Sequence, residues 1–284
     1  MAFMIQRVGE WTDEREFTVE AARAEAYAAA TNDPIEEHRL GKIAPPVFAV
    51  VPVWDVIATA AAMVTPPEVM LNVLHGEQDM YFHRPITPGT TLVSKGAPVG
   101  VHVKKSGTTV VTKLESRDAS SGELVNEQYT VTFFRGAADG DSAGEEAPGH
   151  RVPQEVRSQD PVAVVRQTMD EDQTYRYSEA SGDMVPIHLD EGIARSVGLP
   201  GIIIHGLCTM AFNSWAAIEH LAGGDTARLE RLAVRFSKPV LPGETITTRF
   251  WPAGERDERA VYAYETTNPD GDVVIKDGLA EIAP

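Results

Sequence analysis

The residues of this chain best suited to proton-transfer chemistry are Asp183 and His188, within the segment YRYSEASGDMVPIHLD (175–190). Imidazole titrates near neutral pH, and a carboxylate can hold the ring or a water molecule, so the pair suits general acid–base catalysis. On an α-helix, residues five positions apart lie about 140° apart around the axis, and Pro186 disfavours a helical Val185. The spacing therefore predicts a turning loop in which both side chains face one pocket. A purely structural Asp–His hydrogen bond is the alternative.

A second Asp-x4-His pair, Asp33 and His38, lies 150 positions earlier, which indicates an internal repeat. The segment FHRPITPG, from residue 82, likewise corresponds to FSKPVLPG, from residue 236, at an offset of 154. A loop insertion of four residues accounts for the difference between the two offsets. The chain is therefore predicted to contain two similarly folded halves.

Each half shows an apolar helix followed by alternating strands. The helices are predicted at about 47–64 and 202–222, and the strands at 108–115, 126–134, 245–251, 259–266 and 273–282. This order is typical of an α+β fold, and helices that are apolar on every side are typically buried, here inside a curled sheet. The predicted domains are residues 1–135 and 161–284. Residues 136–160, rich in Gly, Ala, Pro and acidic residues, are predicted to form an exposed linker.

The segment that contains Asp183 and His188 resembles the signature of the MaoC-like, hydratase 2 family of hot-dog-fold enzymes. The matching residues are Ser181, Gly182, Asp183, Pro186, Ile187 and His188, whereas Val185 stands where the family usually has Asn. The segments GLPGIIIHGLCTMAFNSW (198–215) and VLHGEQDMYFHRPITPG (73–89) extend the resemblance to roughly residues 15–135 and 160–284. It implies a double hot-dog fold, in which each of two repeats wraps a curved antiparallel sheet around a long apolar helix.

The two Asp-x4-His segments differ in their surroundings. In the first, TNDPIEEHRL (31–40), two glutamates occupy the positions of Pro186 and Ile187, and His38 is expected to be a solvated loop residue. The second keeps an apolar Pro-Ile pair that would exclude water from the imidazole and strengthen electrostatic interactions. We therefore predict that the second copy is active. The resemblance implies that the first repeat has a degenerate site and shapes an acyl and coenzyme A pocket.

The resemblance also implies a lyase that adds water to a trans-2-enoyl-CoA thioester to give the (R)-3-hydroxyacyl thioester, and catalyses the reverse dehydration. Syn addition requires a base for the water, an acid for the α-carbon and donors for the thioester oxygen. Asp183 and His188 can hold the water between them, and the sequence does not decide which of them is the base. Neither acyl-chain length nor the choice between coenzyme A and acyl carrier protein can be read from the residues.

Further candidates lie on the second apolar helix. Gly206 is predicted at its start, where unpaired backbone N–H groups can bind an oxyanion; close helix–sheet packing is the alternative. Ser214 falls where the resemblance implies a pocket serine, with a hydrogen bond to a helix carbonyl as the alternative. His205 is expected to be an interior imidazole bonded to backbone, and Cys208 to fill the core.

Coenzyme A carries phosphates, so cations are expected near the mouth of its channel. The candidates are Arg84, Lys104, Lys105, Arg235 and Lys238, although each charge can also be an ordinary surface residue. Gly76, in His75-Gly76-Glu77, is a further candidate because that segment resembles the family's pantetheine-side motif; the start of a strand is the alternative. The histidines are scattered and no HExxH or CxxC motif occurs, so no metal is expected. No redox cofactor is expected either.

Composition narrows the function classes. A net charge of −17 argues against nucleic acid and anionic membranes, and 43% hydrophobic residues can build a core. A single cysteine excludes an internal disulfide and, with no secretory signal in the first residues, favours a cytoplasmic protein. A homodimer is expected, and a monomer is the alternative. The rival functions are a hot-dog acyl-CoA thioesterase and a non-catalytic acyl-CoA-binding protein.

Overall fold

The computed structural model describes residues 2–284, apart from the side chains of residues 71 and 72. The strands in this part of the chain are β1 (Arg15–Thr18), β2 (Val73–Phe82), β3 (Thr91–Lys104), β4 (Gly107–Asp118), β5 (Leu124–Arg135), β6 (Ala143–Gly144), β7 (Ala163–Thr168), β8 (Leu229–Phe236), β9 (Thr245–Arg256), β10 (Arg259–Thr267) and β11 (Val273–Ile282). The α-helices are α1 (Ala21–Ala30), α2 (Glu36–Arg39), α3 (Trp54–Ala62), α4 (Gln154–Arg157), α5 (Gln173–Ser181), α6 (Glu191–Ser196) and α7 (Gly206–Leu221). The α+β prediction is confirmed.

The chain forms two compact units that do not follow its two halves. The first unit contains the chain up to Thr18, Pro52–His83 and Thr90–Gly149. The second contains Val19–Val51, Arg84–Gly89 and His150–Pro284. Both Asp-x4-His segments therefore lie in the second unit. The domain boundaries 1–135, 136–160 and 161–284 describe the repeat along the sequence and stay a prediction.

The first unit is an antiparallel sheet with strand order β1-β3-β4-β5-β2, in which β6 pairs with β3. The helix α3 packs against β3 and β4, and its Val56 belongs to a core cluster with Leu114. A Cβ atom on Gly96 would lie 3.0 Å from both of these side chains, so the glycine lets the helix approach the sheet closely. The helix is shorter than predicted because residues Pro46–Val53, which include Pro52, form a 3-10 helix and α3 begins only at Trp54.

The second unit is an antiparallel sheet with strand order β8-β11-β10-β9-β7. The helix α7 packs against β7 and β8, and every residue of α7 from Leu207 to Ile218 is buried. This burial confirms the prediction that the second, largely apolar helix is buried. The helix begins at Gly206 and not at residue 202. The predicted strand 273–282 is confirmed as β11, and β9 and β10 are longer than predicted.

The segment 136–160 is more ordered than a free linker. It contains β6, which pairs with β3, and the short helix α4. His150 is buried, with its Nδ1 atom 2.6 Å from the carbonyl oxygen of Asp277, and Arg157 forms a 3.0 Å ion pair with the same aspartate. Most of the segment is nevertheless exposed, and its role as a linker between the two repeats stays a prediction. Composition alone did not reveal the partners that order the segment.

The apolar stretch 47–64 does not form a membrane span. In the described part of the chain, no helix has both the length and the hydrophobicity needed to cross a bilayer.

Candidate active site

Asp183 lies in a turn that directly follows α5. Gly182 ends the helix in the left-handed region, with φ 88°, which favours glycine. The Ser181 hydroxyl donates to the carbonyl oxygen of Tyr177 at 2.7 Å and accepts from the Asp183 N–H at 3.1 Å. The Asp183 Oδ1 atom accepts from the Val185 N–H at 3.1 Å. These bonds fix the carboxylate and leave Oδ2 without a hydrogen bond to any described residue.

His188 ends the 3-10 helix Pro186–His188 and its side chain is buried. Its Nδ1 atom lies 2.8 Å from the carbonyl oxygen of Ile203. Because a carbonyl oxygen only accepts, Nδ1 carries the proton of the neutral ring, and the lone pair remains on Nε2. Within the described chain Nε2 has no hydrogen-bond partner. The turning loop predicted from Pro186 thus gives this imidazole a fixed tautomer.

A third side chain, His205, joins the pair. Its ring stacks on that of His188, with centroids 3.7 Å apart and an interplanar angle of 23°. Its Nε2 atom lies 3.1 Å from the Asp183 carbonyl oxygen and 3.2 Å from Ser178 Oγ, and its Nδ1 atom lies 3.2 Å from Thr174 Oγ1. The expectation of an interior imidazole bonded to backbone is confirmed. Its contact with His188 was not predicted.

Burial sets the protonation of this cluster. It raises the pKa of Asp183 to about 6, against the opposing effect of the Val185 N–H. It lowers the pKa of His188 to about 4 and, together with the neighbouring His188, lowers the pKa of His205 to about 2. At pH 7 the carboxyl group is therefore mostly ionised and both rings are neutral. The site then offers two proton acceptors, the carboxylate and His188 Nε2.

The cluster also has the composition of a metal site. One ligating atom from each of Asp183, His188 and His205 lies within 4.8 Å of the others. The Nε2 atom of His205, however, faces the Asp183 carbonyl oxygen and must carry a proton to bond to it. Its Nδ1 atom points to the Thr174 hydroxyl. This arrangement suits proton transfer better than the binding of an ion.

Gly206 begins α7, directly after His205. Its N–H group has no acceptor among the described residues, as expected for the first turn of a helix. A Cβ atom at this position would lie 2.8 Å from the ring of Phe236. Close packing against Phe236 therefore explains the glycine. The donation of its N–H to an oxyanion stays a prediction.

Two other residues of α7 are occupied within the core. The Ser214 hydroxyl is fully buried and donates to the carbonyl oxygen of Ala211 at 2.9 Å. This geometry favours the structural alternative over the predicted substrate contact. Cys208 is fully buried, and burial raises the pKa of its thiol, so it fills the core as expected.

The predicted cations of the second unit have different environments. Arg235 lies 3.8 Å from an Asp277 carboxylate oxygen, and Lys238 forms a 2.6 Å ion pair with Asp272. Arg84 is half-buried. Both ion pairs are compatible with ordinary surface roles, and binding of coenzyme A stays a prediction for all three cations.

The remaining candidates belong to the first unit. Gly76 lies at a register shift between β2 and β5, where a Cβ atom would be 3.2 Å from the carbonyl oxygen of Val131. This position explains the glycine by backbone geometry. Lys104 and Lys105 are exposed at the end of β3. A role of these lysines in binding coenzyme A stays a prediction.

The first Asp-x4-His pair is buried, so the expectation that His38 is solvated was wrong. Its Nδ1 atom lies 2.7 Å from Asp33 Oδ2, and its Nε2 atom lies 2.8 Å from Thr226 Oγ1. Glu36 and Glu37 are exposed on the other side of α2. Charged neighbours in the sequence therefore did not predict the direction of the imidazole, because successive residues of a helix point about 100° apart around its axis.

Two family models match the chain. The MaoC like domain matches residues 152–273, and the MFE-2 hydratase 2 N-terminal domain matches residues 37–136.

Three relatives show how far the similarity extends. The probable enoyl-CoA hydratase 2 of Dictyostelium discoideum is 31% identical over 214 residues, which make up 75% of this chain and 71% of that protein. The 3-hydroxyacyl-thioester dehydratase Y of Mycobacterium tuberculosis is 34% identical over 74% of this chain and 72% of that protein. The longer peroxisomal multifunctional enzyme type 2 of Drosophila melanogaster is 36% identical, and the match spans 32% of its length.

Solved structures agree with this similarity. A MaoC-like dehydratase from Phytophthora capsici has a TM-score of 0.81 at 26% identity, with 95% of both chains covered. A Mycobacterium tuberculosis protein described as a double hotdog fold has a TM-score of 0.63 at 13% identity, covering 97% of this chain and 96% of that one, which supports the fold alone. The predicted double hot-dog fold is therefore confirmed.

The fold thus defines a two-repeat hot-dog protein. The chain belongs to the MaoC-like, hydratase 2 family. The prediction of a lyase of the hydratase 2 type is likewise confirmed.

Proposed function

We propose that this chain adds water syn across a trans-2-enoyl-CoA thioester to form the (R)-3-hydroxyacyl thioester, and catalyses the reverse dehydration. The observation that carries the proposal is that a carboxylate oxygen of Asp183 and a ring nitrogen of His188 lie within 4.8 Å of each other. A water molecule that makes two hydrogen bonds of ordinary length spans roughly this distance. The pair can therefore hold and activate one water.

The pKa order indicates which group takes the proton. Asp183, with a pKa of about 6, binds a proton more readily than His188, with a pKa of about 4. In the proposed step the water oxygen bonds to the β-carbon while its proton moves to Asp183. His188 Nε2 accepts the second hydrogen bond of the water and orients it. The Asp183 carboxyl then gives its proton to the α-carbon on the same face, which makes the addition syn.

Negative charge develops on the thioester oxygen during this step. The Gly206 N–H, at the amino-terminal end of the sixteen-residue helix α7, is the proposed donor to that oxygen. The position directly after His205 brings this donor into the same part of the fold as the two proton acceptors. The arrangement supplies the three functions that syn hydration requires.

The names of the relatives support an acyl-CoA substrate. They are called enoyl-CoA hydratase 2 in Dictyostelium discoideum and, for a peroxisomal protein, in Arabidopsis thaliana. A 3-hydroxyacyl-thioester dehydratase is the corresponding name in Mycobacterium tuberculosis. We therefore propose enoyl-CoA as the substrate, with the acyl carrier protein thioester as the alternative carrier.

The proposal is tested with crotonyl-CoA. Loss of the ultraviolet absorbance of the conjugated thioester without release of free thiol supports hydration, whereas thiol release indicates a thioesterase. Chiral analysis of the product must give the (R)-3-hydroxyacyl thioester. If the wild-type chain binds enoyl-CoA without consuming it, the non-catalytic acyl-CoA-binding alternative is correct.

A further inference from the structure

We propose that His205 is a positioning residue that keeps Asp183 and His188 from bonding directly to each other, so that a water molecule fits between them. This inference rests on the proposed function. It assigns to His205 a role exerted only through its two neighbours.

The contacts of His205 act on both members of the pair. Its ring lies against the His188 ring at a centroid distance of 3.7 Å, which restricts rotation of that ring toward the carboxylate. Its Nε2–H donates to the Asp183 carbonyl oxygen at 3.1 Å, which holds the backbone of the turn. His188 is held from its other side by the Ile203 carbonyl oxygen. The two side chains are thereby fixed independently of each other.

The first repeat contains an Asp-x4-His pair but no histidine at the position that corresponds to His205. At the offset of 154 that relates Pro46 to Pro200, Val51 occupies the position of His205. Valine can neither stack on an imidazole nor donate a side-chain hydrogen bond. In that repeat Asp33 Oδ2 and His38 Nδ1 lie 2.7 Å apart, in direct contact.

The turn itself does not explain this difference. Asp33 Oδ1 accepts from the Ile35 N–H at 2.9 Å, just as Asp183 Oδ1 accepts from the Val185 N–H at 3.1 Å. The two carboxylates are therefore held by the same type of backbone hydrogen bond. The repeats differ in what surrounds the imidazole, and His205 is the part of those surroundings that contacts both members of the second pair.

His205 is poorly suited to chemistry of its own. It is fully buried, and both ring nitrogens have partners within the protein. Its pKa of about 2 keeps the ring neutral across the range in which the protein would work. Ser178 and Tyr177 contact it from α5, and Asp183 and His188 contact it from the following loop. It therefore acts on the geometry of its neighbours.

The experiment compares His205→Val, which copies the first repeat, with His205→Phe, which keeps a ring for stacking. Cys208→Ala, a buried change two residues beyond Gly206, is the matched control for core damage. The measurements are kcat and KM with crotonyl-CoA, thermal unfolding, and the tautomer and pKa of His188 by nitrogen-15 NMR of the free protein.

For His205→Val we expect kcat to fall about 10²-fold with little change in KM, because a small misplacement of reacting groups has an effect of this order. The His188 pKa should rise, since the ring would then bond directly to the Asp183 carboxylate. His205→Phe should lose less activity, and Cys208→Ala should keep wild-type kcat. If His205→Val does not fold, the same comparison is made between His205→Phe and wild type, with a kcat fall of several-fold expected from the lost Nε2–H bond.

The inference is overturned if the folded variants keep kcat within about twofold of wild type and the His188 tautomer and pKa are unchanged. The NMR measurement requires no turnover. A wild-type chain that fails to hydrate crotonyl-CoA would therefore contradict the proposed function, while the geometric role of His205 would still be decided by the His188 signals.

Discussion

The two Asp-x4-His segments of the second compact unit share a local fold and differ in what their side chains bind. In each, a helix containing a buried tyrosine leads into a turn in which the aspartate accepts a backbone N–H; the tyrosines, Tyr27 and Tyr177, have their hydroxyl oxygens 3.2 Å apart. In the first segment His38 uses both ring nitrogens within the protein, whereas in the second His188 keeps Nε2 available. A motif with the right spacing can thus be structural or reactive, depending on which ring atoms remain unpaired.

The residue that follows His205 also differs between the repeats. Pro52 occupies, at the offset of 154, the position of Gly206. Proline has no N–H, so the first repeat lacks the backbone donor proposed for the thioester oxygen. In the first repeat, both ring nitrogens of His38 are bonded within the protein, and Pro52 supplies no backbone N–H. That repeat therefore lacks two of the groups proposed for catalysis.

The largest expected effect is the difference in kcat between substitutions of the two aspartates, Asp183 and Asp33. Asp183→Asn keeps a side-chain oxygen for the turn but removes the proton acceptor, and we expect kcat to fall about 10³-fold or more. Asp33→Asn is the matched change in the first repeat and should leave kcat within a few-fold of wild type. Both are measured with crotonyl-CoA on variants shown to be folded. Equal losses in the two variants would show that the assignment to the second repeat is incorrect.

A second comparison concerns the backbone donor. Gly206→Pro copies Pro52 and removes the N–H, while proline remains acceptable at the first position of a helix. Gly206→Ala keeps the N–H but brings a Cβ atom to 2.8 Å from Phe236, and it should lower the free energy of unfolding by about 1–3 kcal/mol. We expect kcat of Gly206→Pro to be about 10²-fold below that of Gly206→Ala. Similar kcat values for the two folded variants would remove Gly206 from the mechanism.

The pH dependence tests the protonation state of the second pair. Asp183 must be ionised to accept the proton, and burial raises its pKa to about 6. Activity should therefore be lost as pH falls through about 6, approaching a tenfold decrease per pH unit below it. His188 stays neutral over this interval because its pKa is about 4. The check is the pH profile of kcat/KM between pH 3 and 8, and an acid limb centred near 4 would instead point to His188 as the group that titrates.

The smallest expected effect on turnover comes from the first pair. His38→Ala removes the hydrogen bonds to Asp33 and Thr226 inside the core, so we expect the free energy of unfolding to fall by about 2–3 kcal/mol. Activity per folded molecule should be unchanged. His220→Ala, an exposed change on α7, is the control and should alter stability by less than about 0.5 kcal/mol. Denaturant unfolding monitored by circular dichroism gives both free energies. A loss of kcat in folded His38→Ala would show that the first pair contributes to turnover.

The local sequence predicted the turn around the second pair well. Gly182 and Pro186 act through their own backbone preferences, which do not depend on distant residues. The largely apolar segment from Leu207 to Ile218 predicted a buried helix, since a helix with no charged face must be covered on all sides. The repeat offset likewise located both Asp-x4-His pairs.

What the sequence by itself determined was therefore the α+β element order, the repeat and the loop that contains Asp183 and His188. Only the tertiary structure decided how those side chains are used. It brought the Ile203 carbonyl to one nitrogen of His188, stacked His205 on its ring, and buried His38 against Asp33 and Thr226. These contacts join residues between 5 and 188 positions apart. Local preferences do not fix such contacts, because they depend on how helices and strands pack once the chain has folded.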